Sequence, residues 1–294
     1  MGTLREGAHL GGPLERLNPH ERDKRITFAE EGHKYFIDGQ RYNGPTMGGI
    51  SSTTIIHHFF KSFDADAAIA GILRSRRHRD DPSYNYYQMT KPQIQAMWSA
   101  SGKEASEAGT KMHCDIEYEQ NGLPYENDSV EFEQYLAFRR DHPHLVPFRT
   151  EHMLFDEEHR ITGSLDALMR DETDGSLVLL DWKRSKAIKR RAFRSSDKGH
   201  FPMAHLPNCN YSTYSLQLNL YKNILRRLYN WNVGELWLVV CHPNQTEYQK
   251  LVLPDRSREI ESMLGYRKLQ LQLMGKSPPD PTVTDDEWRL IRLP

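Results

Sequence analysis

Residues 150–186 read TEHMLFDEEHRITGSLDALMRDETDGSLVLLDWKRSK. Three short apolar runs are separated by the turn-like breaks EEHR and DETDGS, a pattern that predicts an antiparallel meander of three strands. The polar residues that interrupt these runs constrain it further. Asp166 lies near the end of the second run, and Asp181, Trp182 and Lys183 close the third. Side chains on a strand alternate faces, so Asp181 and Lys183 share one side while Trp182 points to the other.

The flanking sequence supplies helices and further strands. Residues 26–43 alternate as a hairpin, with Gly39 at a turn. A glycine-rich turn then leads into a helix whose start is marked by Ser51, Ser52 and Thr53. Residues 60–100 read as interrupted helix, broken by the polar, tyrosine-rich DDPSYNYYQMTKP. The next stretch reads as one helix from a Ser101/Glu104 capping box to the stop at Asn121-Gly122, and its interior Gly109 implies close packing. A further helix is expected over 129–141. Beyond the meander, 211–229 carries a helical stripe of Tyr214, Leu218, Tyr221, Leu225 and Leu228, although LQLNLY within it also alternates like a strand. GELWLVVCH and EYQKLVLP read as strands, and 255–275 as a closing helix. This order predicts a mixed α/β core with helical decoration in front. The expected layout is a flexible tail over 1–24, one domain over 25–275 (an N-terminal hairpin and helical region to 100, a core from 101) and an extended tail over 276–294.

Composition narrows the classes. The start of the chain is polar and Gly/Pro-rich, without a signal-peptide apolar stretch. The longest apolar runs fall far short of the ~20 residues of a membrane-spanning helix, so a soluble, intracellular protein is expected, its compartment unspecified. Cys114, Cys209 and Cys241 are widely spaced and form no CxxC pair, which writes neither a disulfide framework nor a four-thiolate metal site. The formal net charge of −1 argues against an indiscriminate polyanion binder. Its distribution is uneven, because KRSKAIKRRAFR (183–194) contains Lys183, Arg184, Lys186, Lys189, Arg190, Arg191 and Arg194 and no acid. A second basic cluster holds Arg74, Arg76, Arg77 and Arg79. Such runs serve as solvated helix faces, localisation signals or nucleic-acid contacts.

Two carboxylates and an ammonium gathered at one edge suit a hard divalent cation, with Mg²⁺ or Mn²⁺ held by oxygen and a substrate phosphate completing the shell. The plainer reading of Asp181 and Lys183 is a surface salt bridge. His113 and Glu117 are four residues apart and share a helix face; an imidazole there is a suitable additional ligand. Gln217 and Tyr221 are likewise four apart, and Gln217 interrupts an apolar stripe, where a buried amide needs partners.

The ordered succession GTKMHCDIE, TEHMLFDEEHRITGSLDAL, LVLLDWKRSK and YSLQLNLYK resembles the PD-(D/E)XK nuclease superfamily. More narrowly, it is similar to the RecB-type and lambda-exonuclease-like branch, which includes CRISPR-associated and mitochondrial genome maintenance exonucleases. The resemblance covers about residues 100–240. It rests on four motifs: Gly109, His113 and Glu117; Gly163 and Asp166; Asp181 and Lys183; Gln217 and Tyr221. It implies a restriction-endonuclease-like core, a mixed central sheet flanked by helices, with an N-terminal helical region. It also implies metal ligation by His113, Asp166, Asp181 and the backbone carbonyl of Trp182. Lys183 then assists the nucleophilic water, and Gln217 and Tyr221 shape the site. Glu151 has a counterpart acid in this branch. Ser51 and Thr53 become candidates for phosphate contact and Trp98 for base stacking, while Arg184, Lys186, Lys189, Arg190 and Arg191 are placed to track a nucleic-acid backbone. Several members carry a four-cysteine iron-sulfur cluster; the three cysteines here do not match that arrangement, so none is expected.

The expected activity is Mg²⁺- or Mn²⁺-dependent exonucleolytic hydrolysis of DNA from its ends in replication, recombination or repair, with DNA, and proteins of those processes, as partners. Two alternatives stand beside it: a catalytically silent nucleic-acid-binding protein of the same fold, and a metal-dependent endonuclease acting on DNA or RNA.

Overall fold

The computed structural model describes residues 12–29, 31–42 and 47–275. The expected N-terminal tail lies outside this description over 1–11, and the expected C-terminal tail over 276–294 does so entirely. Residues 12–24 are not a loose tail. They form helix α1 (Pro13–Leu17) and a 3₁₀ turn (Glu21–Arg25) laid against the meander. The Asn18 side-chain amide donates to the Phe148 carbonyl at 3.0 Å, and Arg149 donates to the Asn18 carbonyl and to Asp23, each at 2.9 Å. Polar composition had suggested solvent; these polar groups are instead consumed in docking the segment.

The hairpin expected over 26–43 is a small three-stranded antiparallel sheet, β1 (Ile26–Ala29), β2 (Lys34–Ile37) and β3 (Gln40–Arg41). Gly39, at φ 77°, makes the tight turn between β2 and β3. A two-residue strand β4 (Ile50–Ser51) runs into α2 (Ser52–His58), capped by the Ser51 hydroxyl, which accepts from the Thr54 N–H. Then follow α3 (Ala65–Arg74), α4 (Arg76–Asp80) and the long α5 (Lys91–Gln120). The last starts eleven residues earlier than the Ser101/Glu104 box implied. Thr90 and Gln93 form the capping box, and Pro92 sits in the first turn, where its missing N–H costs nothing. Gly109 was expected to be closely packed, but a Cβ there meets no atom within 4 Å, and nothing in the structure explains that glycine.

Helix α6 (Val130–Asp141) precedes the meander β5 (Leu145–Asp156), β6 (Ile161–Asp171) and β7 (Leu177–Arg184), which is antiparallel as expected. Helix α7 (Asn210–Ile224) continues into a π-helical turn to Tyr229, so the ambiguous LQLNLY is helical. β8 (Val233–Cys241) pairs parallel to β7, β9 (Gln249–Val252) antiparallel to β8, and α8 (Ser257–Leu273) closes the described chain. The result is the expected mixed α/β architecture, a mixed central sheet between helical layers. One face packs under α2, α7 and α8 through residues such as Leu179, Leu216, Leu220 and Met263. The other packs under α5 and α6 through Met112, Phe132, Phe138 and Trp182. Among the described residues, no helix is long and apolar enough to cross a membrane.

The feature that positions the site is a fork in this sheet. β5 pairs with β6 from Ile161 to Asp171, with a gap in the pairing at Glu151 and Asp166. On the opposite edge, β4 takes Ile161 and Thr162 in parallel, and β7 takes only Ala167–Arg170. Among the described residues, no strand pairs with 163–166 on that edge. The ladder opens at the point where Asp166 and Asp181 extend it.

Candidate active site

At the fork, the Trp182 N–H has no partner in β6's backbone and donates instead to Asp166 Oδ2, at 2.8 Å. The Trp182 ring points the other way, edge-on to Tyr135 and Phe138, which fixes this stretch of β7 by close packing. Asp181 and Lys183 therefore share the opposite side. Asp181 is 3% exposed, and its Oδ2 lies 2.5 Å from Lys183 Nζ. The carboxylate is buried and the ammonium half-buried, so an exposed surface salt bridge does not describe the pair.

From α5, the His113 imidazole reaches the same place. Its Nδ1 is 3.5 Å from Asp166 Oδ2 and 3.7 Å from Glu151 Oε1. The ligand atoms of His113, Glu151 and Asp166 all lie within 4.8 Å of one another. Glu117, expected beside His113, is not part of this three-residue group, whereas Glu151, from β5, is. Glu151 has φ of 42°, a left-handed conformation that costs a non-glycine residue about 1–3 kcal/mol. Register pairs Thr150 with Ala167 and His152 with Leu165, so this strained residue stands across from Asp166.

Charges in this enclosure perturb one another. Burial raises the Asp166 pKa above its ordinary value, against the pull of His113 and Lys183. Burial and the neighbouring Asp166 charge push Asp181 up to about 6. Burial works against the charged forms of His113 and Lys183, but the carboxylates outweigh it. Asp166 and Glu151 lift His113 to about 9, and Asp181 and Asp166 hold Lys183 above its ordinary value. Beside these carboxylates Lys183 carries its positive charge. The Tyr214 ring, 5.0 Å from its Nζ, covers it.

Tyr221 closes the fork. Its hydroxyl shares a 2.8 Å hydrogen bond with Ser52 and accepts from Gln217 Nε2 at 3.1 Å. The ring lies directly over Gly163, where a Cβ would meet Tyr221 Cε1 at 2.7 Å and Ser52 Oγ at 2.9 Å. The Gly163/Asp166 and Gln217/Tyr221 motifs are thus two sides of one contact.

The donor set suits a hard divalent cation. Opposed ligands at the ~2.0–2.1 Å typical of Mg²⁺ stand about 4 Å apart, and the three-residue cluster matches that spacing. A second group of potential ligands, Asp156, Glu158 and His159, does not fit one. Arg227 donates to Asp156 and Glu158 at 2.9 Å each, and His159 Nδ1 lies 2.9 Å from Asp156, so these groups neutralise one another.

The remaining expected residues are dispersed. Ser51 is occupied as a helix cap, also bonding the Thr53 and Thr54 hydroxyls, while Thr53 is exposed. Trp98 donates to the Tyr86 hydroxyl at 3.0 Å and packs near Phe63. Arg184 does not face solvent; it donates to Glu131 at 2.5 Å and to Glu104 at 3.3 Å, joining β7 to α6 and α5. Lys186, Lys189, Arg190 and Arg191 are exposed on irregular chain after β7. Sequence reasoning missed Ser52 and Tyr214. Tyr214 lies three residues before Gln217 and seven before Tyr221, a spacing that marks one helix face. Ser52 carried no signal beyond its helix-start position.

No family model matches the chain, nor does any curated protein. Among solved structures it is similar to SSO0001, at 14% identity over 51% of this chain and 59% of that one, with a TM-score of 0.25. It is also similar to a candidate exonuclease from Eubacterium rectale, at 10% identity over 84% and 91%, with a TM-score of 0.32. Superpositions this loose carry no argument about this chain.

Proposed function

We propose that the chain is a divalent-metal-dependent nuclease of the PD-(D/E)XK type that hydrolyses phosphodiester bonds from DNA ends. The observation that carries this reading is the convergence of His113, Glu151, Asp166, Asp181 and Lys183 at one fork in the sheet. The four-motif resemblance supports it. In this reading His113, Glu151, Asp166 and Asp181 hold Mg²⁺ or Mn²⁺, with the Trp182 carbonyl beside them. Such an ion, when bound, neutralises phosphate charge and acidifies water.

The chain's own residues do the rest. Lys183 donates hydrogen bonds to the water and to phosphate oxygens, supplying positive charge where negative charge develops. Tyr214 restricts it to that position. Tyr221, held by Ser52 and Gln217, walls the fork and excludes bulk water. The test is incubation of end-labelled linear single- and double-stranded DNA and closed circles with Mg²⁺, Mn²⁺ or chelator. Stepwise loss from one end, abolished by chelator and by Asp181→Ala, is the expected result. Cut circles point instead to an endonuclease, and binding without cleavage of any DNA to a silent binding protein or an RNA substrate.

A further inference from the structure

The segment after β7 holds the most exposed large apolar side chain among the described residues, Phe193, at 96%. Its neighbours Lys189, Arg190, Arg191 and Arg194 are also exposed, and no described carboxylate pairs with any of them. This differs from Lys183 and Arg184, in the same basic run, which acids of the core neutralise. An aromatic ring left in water inside a cationic frame is poorly explained by folding, because it buries nothing and the frame keeps other apolar surfaces away.

The segment is anchored at both ends. On one side Ile188 packs against the main core, the Lys189 N–H donates to Asn210 Oδ1 at 2.8 Å, and the Arg190 guanidinium lies 4.8 Å from the centre of the Tyr211 ring. On the other, Lys198 bridges to Pro207, and the Asn208 N–H donates to the Asp197 carbonyl. The first anchor is the start of α7, and three residues further along that helix Tyr214 covers Lys183. The base of the arm is therefore within about one helical turn, ~5 Å, of the residue that covers the reactive lysine.

We propose that Phe193 is a base-stacking residue and that the arm around it grips unpaired single-stranded DNA next to the site, Phe193 against a base and Lys189, Arg191 and Arg194 on flanking phosphates. Charge complementarity selects this occupant: phosphates match the cations, and every base offers a ring face to the phenyl group. The inference rests on the nuclease reading for its place in catalysis, but its binding is measurable without turnover.

The experiment is fluorescence anisotropy of a labelled 12-nucleotide oligothymidylate with the full chain in chelator, so that nothing is cut. Phe193→Ala weakens binding about 5- to 150-fold, Phe193→Trp restores it, and Phe193→Leu, equally apolar but without a ring face, does not. The salt dependence is unchanged by Phe193→Ala but is reduced in Arg191→Ala by about 0.7 in slope, the value for one lost phosphate contact on a single strand. Equal affinity of wild type, Phe193→Ala and Phe193→Leu overturns the proposal. So does a Phe193→Ala protein that keeps its oligonucleotide affinity but loses binding to phosphatidylserine vesicles, since the arm is then a membrane contact. Vigorous cleavage in metal with no effect of Phe193→Ala on binding sinks this inference and leaves the nuclease standing. A Phe193-dependent affinity in a protein that cleaves no DNA does the reverse.

Discussion

Glycine 163 and glutamate 151 carry opposite backbone lessons. Gly163 is needed for space, since Tyr221 and Ser52 occupy the volume of its missing side chain. Gly163→Ala is expected to destabilise the fold by about 1–3 kcal/mol through overpacking, and to lower cleavage by shifting Tyr221, as thermal melts and end-labelled digestion will show. Glu151 is strained by its φ of 42°, which glycine tolerates and alanine does not. The Glu151→Gly protein should therefore be more stable than Glu151→Ala by about 1 kcal/mol, with both inactive. Chemical denaturation that ranks the alanine variant higher removes strain from the account. Lys183 is a donor and a fixed charge in this reading. Lys183→Met should lower kcat by about 10²–10³, the range for loss of one electrostatic donor, while leaving Mn²⁺ binding in place. Equal loss of metal affinity assigns the lysine to the ion's surroundings instead.

At the scale of elements, Arg184 and Arg191 belong to one basic run and have different tasks. Arg184 joins β7 to α6 through Glu131, with both side chains nearly buried. Arg184→Ala is expected to cost about 3–5 kcal/mol, because it strands the Glu131 charge, and to leave the salt dependence of DNA binding unchanged. A normal melting temperature contradicts this. The docking of Asp156 by Arg227 and His159 has a pH signature. Burial raises the Asp156 pKa, but the hydrogen bonds and charges of His159 and Arg227 prevail and hold it below its ordinary value. Its stabilisation is then present above the unfolded carboxylate pKa of about 4 and lost as pH falls through the lower folded value. In acid titrations Asp156→Ala should lose that part of the wild-type slope.

The strands of the meander were legible because turn chemistry and apolar runs are local signals, and α2, α6 and α7 because caps and stripes are. The true start of α5 was not, because Ser101 and Glu104 mimic a capping box that an upstream Thr90/Gln93 box makes unnecessary. Asp166, Asp181, Lys183 and His113 were legible as a succession of motifs. The roles of Glu151, Ser52 and Arg184 were not, because each depends on a partner from a distant part of the chain: Asp166, Tyr221 and Glu131.

For the molecule as a whole, the sheet's fork explains where the candidate site lies. β4 and β7 share one edge of β6 without meeting, and α5, α7 and β5 bring an imidazole, a tyrosine and a carboxylate to the opening. The arrangement concentrates buried and half-buried negative charge against His113 and Lys183, a condition that a divalent cation relieves. The most direct test is titration of the whole chain with Mn²⁺, following the free-ion signal by electron paramagnetic resonance, for wild type, Asp166→Asn and Asp181→Asn. Saturable binding in the wild type, weakened at least tenfold in both variants while their folds stay intact, is the predicted result. Wild-type binding that both variants retain, or no binding at all, contradicts a cation site at the fork and with it the nuclease.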